Sequence, residues 1–227
     1  MPMRAHNGAR PAHFKTRFMA LAMAGLLLWL AVPYAWASLI LLPTRPLLEK
    51  LNAETATPET LAAIGLYQQQ AARRWATNRD YAAMGQVAYL AGEKSVLQEV
   101  LRHAPADAQN WARLAALTLK AGDRAMAERY YHQSLQQGRY LPGFMNWRLL
   151  LGVALWPHMG EAGRKATAEQ AYILWHTPAH RKEFLRLARM GTIGLALRDM
   201  IATYHPEEME EFGKRWRPPA FLKNSGQ

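Results

Sequence analysis

The chain repeats itself at a spacing of thirty residues, and this repetition limits the possible folds more than any other feature. Tyr81, Met84 and Gly85 line up with Trp111, Leu114 and Ala115. At the same offset Ala88 meets Thr118, Leu90 meets Lys120, Ala91 meets Ala121 and Gly92 meets Gly122. A large aromatic, an aliphatic residue three later, a small residue next and a glycine beyond describe one amphipathic helix and its stop. The small residue lets a neighbouring helix come close, and the glycine ends the helix where φ must turn positive. The segment from Asn110 to Leu135 then reads as two short helices joined at Gly122 and Asp123. A unit of this kind cannot bury its own apolar face and has to stack on its neighbours.

The spaced set Trp111, Leu114, Ala115, Gly122, Asp123, Ala127, Tyr131 and Leu135 resembles the tetratricopeptide repeat pattern. The match covers about residues 108–141. Residues 78–107 match with Tyr81, Met84, Gly85 and Gly92, but with a second helix some four residues short. The chain departs from the family in its closing proline, since Pro142 comes later than the pattern requires. The resemblance implies an all-α, α-helical-hairpin repeat (TPR-like) solenoid whose first helices line a groove that holds peptide segments of protein partners. In the better unit the residues expected on that groove are Asn110, Arg113, Leu117 and Lys120; in the weaker one they are Arg79 and Gln86, with Ala83 between them.

Composition agrees with helices. Half the residues are hydrophobic, and Ala, Leu and Met, which lose little rotamer freedom in a helix, outnumber β-branched types. Cysteine is absent, which excludes a disulfide framework, thiol catalysis and cysteine-ligated zinc. The net charge is +11, but it is spread out. Residues 1–17 carry Arg4, Arg10, Lys15 and Arg17 without an acid, while the later helices mix both signs. A mixed surface reads as solvated helix faces, so no nucleic acid is expected as a partner.

From the N-terminus, residues 1–17 are expected to be a disordered basic cytoplasmic tail. Phe18 to Leu42 is free of charge and exceeds the roughly 20 residues a helix needs to cross a bilayer. The basic cluster before it, by the positive-inside rule, predicts a single-pass inner-membrane anchor with its N-terminus in the cytoplasm and the helical domain in the periplasm. Ala35, Trp36 and Ala37 before Ser38 also form a signal-peptidase-like site, so cleavage at Ala37/Ser38 stays open. Residues 43–57, with Pro43 and Pro46, form a linker. Thr57, Pro58 and Glu59 are an N-cap, first-turn proline and acid that open the helical domain, expected over 58–217, with a disordered tail at 218–227.

Within that domain, Phe144 to Trp156 is apolar but contains Arg148 and stops at Pro157. It is too short to span a bilayer and is expected as a buried helix. Pro178 and Gly191 separate three further helices, and Pro206 with Glu207 and Glu208 opens the last. Trp75, Trp111, Trp147, Trp156 and Trp175 fall at apolar helix positions and are expected in the core.

Candidates for chemistry are few. His176 and His180 have a metal-ligand spacing, but Pro178 breaks the helix between them and no HExxH occurs. His158 sits at a turn after Pro157, and Glu207, Glu208, Glu210 and Glu211 suit a helix dipole rather than acid–base work. No phosphate loop, G-x-S-x-G or dinucleotide fingerprint is present. No catalytic residue, metal or cofactor is therefore assigned. The expectation is a non-enzymatic, membrane-tethered scaffold that binds subunits of an envelope complex. The stretch from Arg148 to Glu161 and the run from Ile173 to Pro178 resemble small membrane accessory proteins of exopolysaccharide assembly. The competing expectations are an envelope hydrolase using histidine and carboxylate, and a reversed topology with a cytoplasmic domain on nucleic acid or anionic lipid.

Overall fold

The computed structural model describes residues 12–216 apart from 45, 47, 49, 52–55 and 73–77; at some further positions, including 12–18, 67–72, 78 and 79, only the backbone is described. Among the described residues every regular element is helical, so the protein is all-α. The chain divides into two compact units, Met1–Asp80 and Tyr81–Gln227.

The first unit holds α1 (Ala12–Leu41), a short 3-10 turn at Leu42–Thr44, and α2 (Pro58–Ala72), which packs on α1. The start of α2 follows from its sequence. Thr57 Oγ1 accepts a hydrogen bond from the Thr60 amide at 3.2 Å, Pro58 takes the first helical position and Glu59 lies in the first turn. Leu61 and Ile64, one turn apart, are its buried residues. Helix α1 begins at Ala12, ahead of the charge-free span, and α2 falls in the same compact unit as α1, so the second unit starts at Tyr81. The remainder of the expected tails, residues 1–11 and 217–227, and Trp75 lie outside the described residues. At the 30 residues of α1, a rise of about 1.5 Å each gives a length of roughly 45 Å. Its described side chains from Met19 through Leu39 are exposed, Trp29 at 77%. Judged over the described residues, no helix is long and apolar enough to cross a membrane; in α1 the longest run with described side chains is 19–29.

The second unit opens with two helical hairpins, α3 (Asn78–Ala91) with α4 (Lys94–His103) and α5 (Ala108–Lys120) with α6 (Arg124–Gln137). Their turns are the same object thirty residues apart. Gly92 has φ 75° and Gly122 φ 89°. The glycine amide donates to Tyr89 O at 3.1 Å in one and to Leu119 O at 2.9 Å in the other. The next amide reaches five residues back, Glu93 to Ala88 O at 2.8 Å and Asp123 to Thr118 O at 3.2 Å. This is the paired-bond C-cap that a left-handed residue permits, and it satisfies the last carbonyls of the helix.

Five helices follow: α7 (Met145–Leu155), α8 (Glu161–His176), α9 (Pro178–Ala188), α10 (Gly191–Tyr204) and α11 (Met209–Arg215). The breaks fall where the sequence places them. Pro157 sits in a 3-10 turn after α7, Pro178 starts α9, and Gly191 takes φ 41° at the head of α10. Pro206–Glu208 forms a 3-10 turn ahead of α11 rather than its first turn. Trp175, Phe184 and Phe212 meet at the centre, with ring centroids 5.6 to 6.2 Å apart. Leu174, Leu187, Leu197, Met200 and Ile201 complete this core. Close approach of α9 and α10 needs Gly194, where a Cβ would stand 2.1 Å from Ala188 O. A smaller cluster of Ala88, Leu97, Leu101 and Leu114 joins α3, α4 and α5. Of the tryptophans expected inside, Trp156 and Trp175 are buried, whereas Trp111 and Trp147 are only half-buried.

Candidate functional site

Six residues were expected on a groove, and the structure distributes them differently. Lys120 is exposed at the end of α5, and Leu117 is half-buried against the Ala88, Leu97, Leu101 and Leu114 cluster. Gln86 is half-buried, and the side chain of Arg79 lies outside the described residues. Asn110 and Arg113 are buried, which corrects their assignment to an open groove. The physical reason is Gly85. The missing side chain there admits the Asn110 carboxamide, whose Oδ1 would otherwise lie 1.9 Å from a Cβ. Asn110 Nδ2 then donates to Tyr81 O at 3.2 Å and to Asp107 Oδ2 at 3.0 Å. Arg113 Nη1 donates to Asn110 Oδ1 at 2.8 Å and to Ala82 O at 3.1 Å. Burial lowers the Arg113 pKa from its ordinary value, against the opposing pull of Asp107. These two polar residues seam α5 to α3.

Aromatic side chains of α3 and α7, with Phe144 just ahead of α7, pack beside this seam. Tyr89 meets Trp147 edge-on at 5.8 Å, Phe144 meets Trp147 at 4.9 Å, and the Arg113 guanidinium lies 5.9 Å from the Phe144 ring centre.

A second polar centre was not foreseen. Arg148 is fully buried in α7. Its guanidinium donates to the carbonyls of Ser134 (3.1 Å), Gly138 (2.6 Å) and Arg139 (2.9 Å), and to Gln170 Oε1. Ser134 in turn donates to Ala108 O at 2.6 Å. The three carbonyls that Arg148 meets lie at the C-terminal end of α6, where unsatisfied carbonyls and the helix dipole favour a cation. Burial lowers the Arg148 pKa, with Tyr131 opposing. The sequence signal was available: an arginine inside an otherwise apolar helix must find partners if that helix is buried.

The histidines regroup. His176 ends α8 and His180 lies in the first turn of α9, near Tyr140 at 6.2 Å. His176 pairs instead with Glu208, Nε2 to Oε1 3.1 Å, and Trp175 Nε1 donates to the other carboxylate oxygen at 3.1 Å. Tyr172 lies between His176 (4.4 Å) and His205 (4.2 Å). Glu169 and Glu207 stand 3.7 and 3.6 Å from His205, beyond hydrogen-bond range. Among the described residues no group of three or more histidines and carboxylates could hold a metal ion. His158 is exposed at its turn. Glu210 and Glu211 pair along α11 with Lys214 and Arg215, at 2.6 and 2.9 Å, as exposed pairs worth little.

No family model, no curated protein and no solved structure matches this chain. The functional reading therefore rests on its own residues.

Proposed function

We propose that the protein is a membrane-tethered, tetratricopeptide-like scaffold that mediates protein–protein interactions in the bacterial envelope, as an accessory subunit of a polysaccharide assembly or export complex. The observation that carries the reading is the pairing of two features in one chain. One is a 30-residue helix, α1, whose described side chains from Met19 through Leu39 are apolar and exposed. The other is a duplicated hairpin with matching glycine caps at Gly92 and Gly122. An apolar face of that extent in water is unfavourable, and a bilayer or a partner relieves it. Burial of the polar seam residues leaves Lys120, Leu117 and Gln86 as the members of the expected face that remain at or near the surface.

Reporter fusions at the C-terminus test the address. A periplasmic reporter that is active, with a cytoplasmic one silent, supports the reading; the reverse pattern overturns it and favours a cytoplasmic domain. N-terminal sequencing of the membrane fraction decides the anchor, because a mature chain starting at Ser38 would lack it. Crosslinking through Lys120, followed by identification of the captured subunits, tests the scaffold role.

A further inference from the structure

Trp147, in α7, differs from the other tryptophans of the second unit. The indole N–H groups of Trp111, Trp156, Trp175 and Trp216 donate to Pro105 O, Asp199, Glu208 and Ala188 O, at 2.7 to 3.1 Å. The Trp147 N–H has no partner among the described residues, and it is not sealed in the interior. An indole packed through its ring with its donor left open suits an interface, where an incoming group supplies the acceptor.

Its neighbours restrict what that group can be. Tyr89 of α3 meets Trp147 edge-on, and Phe144 packs on it from just ahead of α7. The Arg113 guanidinium of α5 lies against Phe144 and interacts electrostatically with Tyr89. Tyr89, Phe144 and Trp147 are all half-buried, so each ring keeps part of its surface in solvent. The Tyr89 hydroxyl, like the indole, has no partner among the described residues and is not enclosed. An indole N–H and a guanidinium only donate, and a phenol does either. The cluster is thus rich in donors and poor in acceptors. A sugar or an ordinary extended strand brings its own O–H or N–H groups and finds little here to accept them. A quaternary ammonium, which aromatic faces also hold, would meet Arg113 as a like charge.

A proline-rich segment fits. Each proline has a carbonyl but no N–H, its ring is apolar, and the polyproline II chain is extended before it binds, so little entropy is lost on docking. At about 3.1 Å per residue, about three residues cover the rings of Tyr89 and Phe144, whose centroids lie 5.8 and 4.9 Å from that of Trp147.

We infer that the surface formed by Tyr89, Phe144 and Trp147 docks a proline-rich segment in the polyproline II conformation, one of its carbonyls accepting from Trp147 Nε1. That the segment belongs to a protein partner rests on the scaffold reading; the hydrogen-bond matching does not.

The test uses the full chain in detergent micelles. Its indole N–H resonances are followed by 15N NMR, with the Trp147 signal assigned by its absence from Trp147→Phe. The probes are a capped peptide of alternating Ala and Pro-Pro, a capped all-alanine peptide of the same length, and maltotriose. The Trp147 resonance shifts and saturates with the proline peptide, and responds at least several-fold less to the other two. Anisotropy of a dye-labelled proline peptide gives the affinity. Trp147→Phe keeps a ring and removes the donor, and it weakens binding several-fold while the melting temperature stays near that of the wild type. Tyr89→Leu, which removes a docking ring, weakens it as well and gives a second reading should Trp147→Phe unfold. A silent Trp147 resonance, an equal or larger response to the alanine peptide or to maltotriose, or unchanged affinity in a folded Trp147→Phe overturns the inference. Proline-peptide binding at Trp147 with no subunit captured through Lys120 keeps the site and removes the scaffold. Captured subunits without proline-peptide binding keep the scaffold and remove the site.

Discussion

The two hairpins share a turn and differ in how they are held. In α3–α4 and α5–α6 the glycine caps and their backbone bonds coincide at the thirty-residue offset. The second helices do not: α4 has 10 residues and α6 has 14. At the N-cap of α6, Asp123 accepts from the Met126 amide at 3.0 Å, whereas Glu93 makes no side-chain bond at the equivalent place in α4. Position 131 is a buried tyrosine where its counterpart 101 is leucine. The end of α6 is closed by Arg148, while α4 ends at Ala104 on a single backbone bond to Val100. A repeat thus fixes a turn locally, and each copy acquires its own closure from elements further along the chain.

The largest test of this contrast removes the closure. Arg148→Met removes the side-chain donor from the carbonyls of Gly138 and Arg139 and leaves Ser134 O with the Gly138 amide, and loss of one member of a buried charged network costs about 3–5 kcal/mol. Urea denaturation should show that loss, and hydrogen exchange should place the new opening at the end of α6 rather than in α4. Protection lost equally in both hairpins would mean that they are not separately closed.

The next test exploits Tyr131. Burial pushes its hydroxyl up to about 12, so the folded state holds the proton more tightly than the unfolded chain. The associated stability is fully present below pH 10, the ordinary tyrosine value, and is lost as pH rises through about 12, at up to about 1.4 kcal/mol per unit. Leu101 has nothing to ionise, so alkaline opening should start in the second hairpin. Tyr131→Phe should abolish that slope. It should also be neutral or stabilising by about 1 kcal/mol at pH 7, because the buried hydroxyl has no hydrogen-bond partner among the described residues. Retention of the alkaline transition in Tyr131→Phe would place its origin elsewhere.

The smallest effects compare the turns themselves. Gly92→Ala and Gly122→Ala should each cost about 1–2 kcal/mol, since both force an L-residue to positive φ with open space around the new methyl. Asp123→Ala should cost about 1 kcal/mol and Glu93→Ala much less, because only the aspartate caps. Thermal melts of the four variants would sharpen the comparison, or break it if the two glycines differ widely.

These contrasts also mark what could be read from residues alone. The glycine turns, the Thr57 cap and the breaks at Pro178 and Gly191 depend on interactions within five residues, and all were legible. The seam of Asn110 and Arg113 depends on partners 29 and 31 residues away. Both polar types sit on the helix side that looks solvated when α5 is considered by itself, and nothing short-range reveals that Gly85 opens a recess for one of them. Arg148 reaches back 9 to 14 residues and forward 22. Its need for partners could be deduced, but their identity could not. The pairing of His176 with Glu208 depended on α11 being preceded by a 3-10 turn that a Pro-Glu-Glu run does not distinguish from a helix start.

The Arg148 clasp has one property that its geometry makes unavoidable. Its acceptors are three peptide carbonyls and a carboxamide, none of which takes up a proton in the acid range where a carboxylate would be neutralised, and its donor remains charged under all such conditions. An arginine clasp built on aspartate or glutamate loosens in acid. This one does not, and being buried it is also poorly screened by salt. The junction of α6, α7 and α8 is therefore indifferent to acidification and ionic strength.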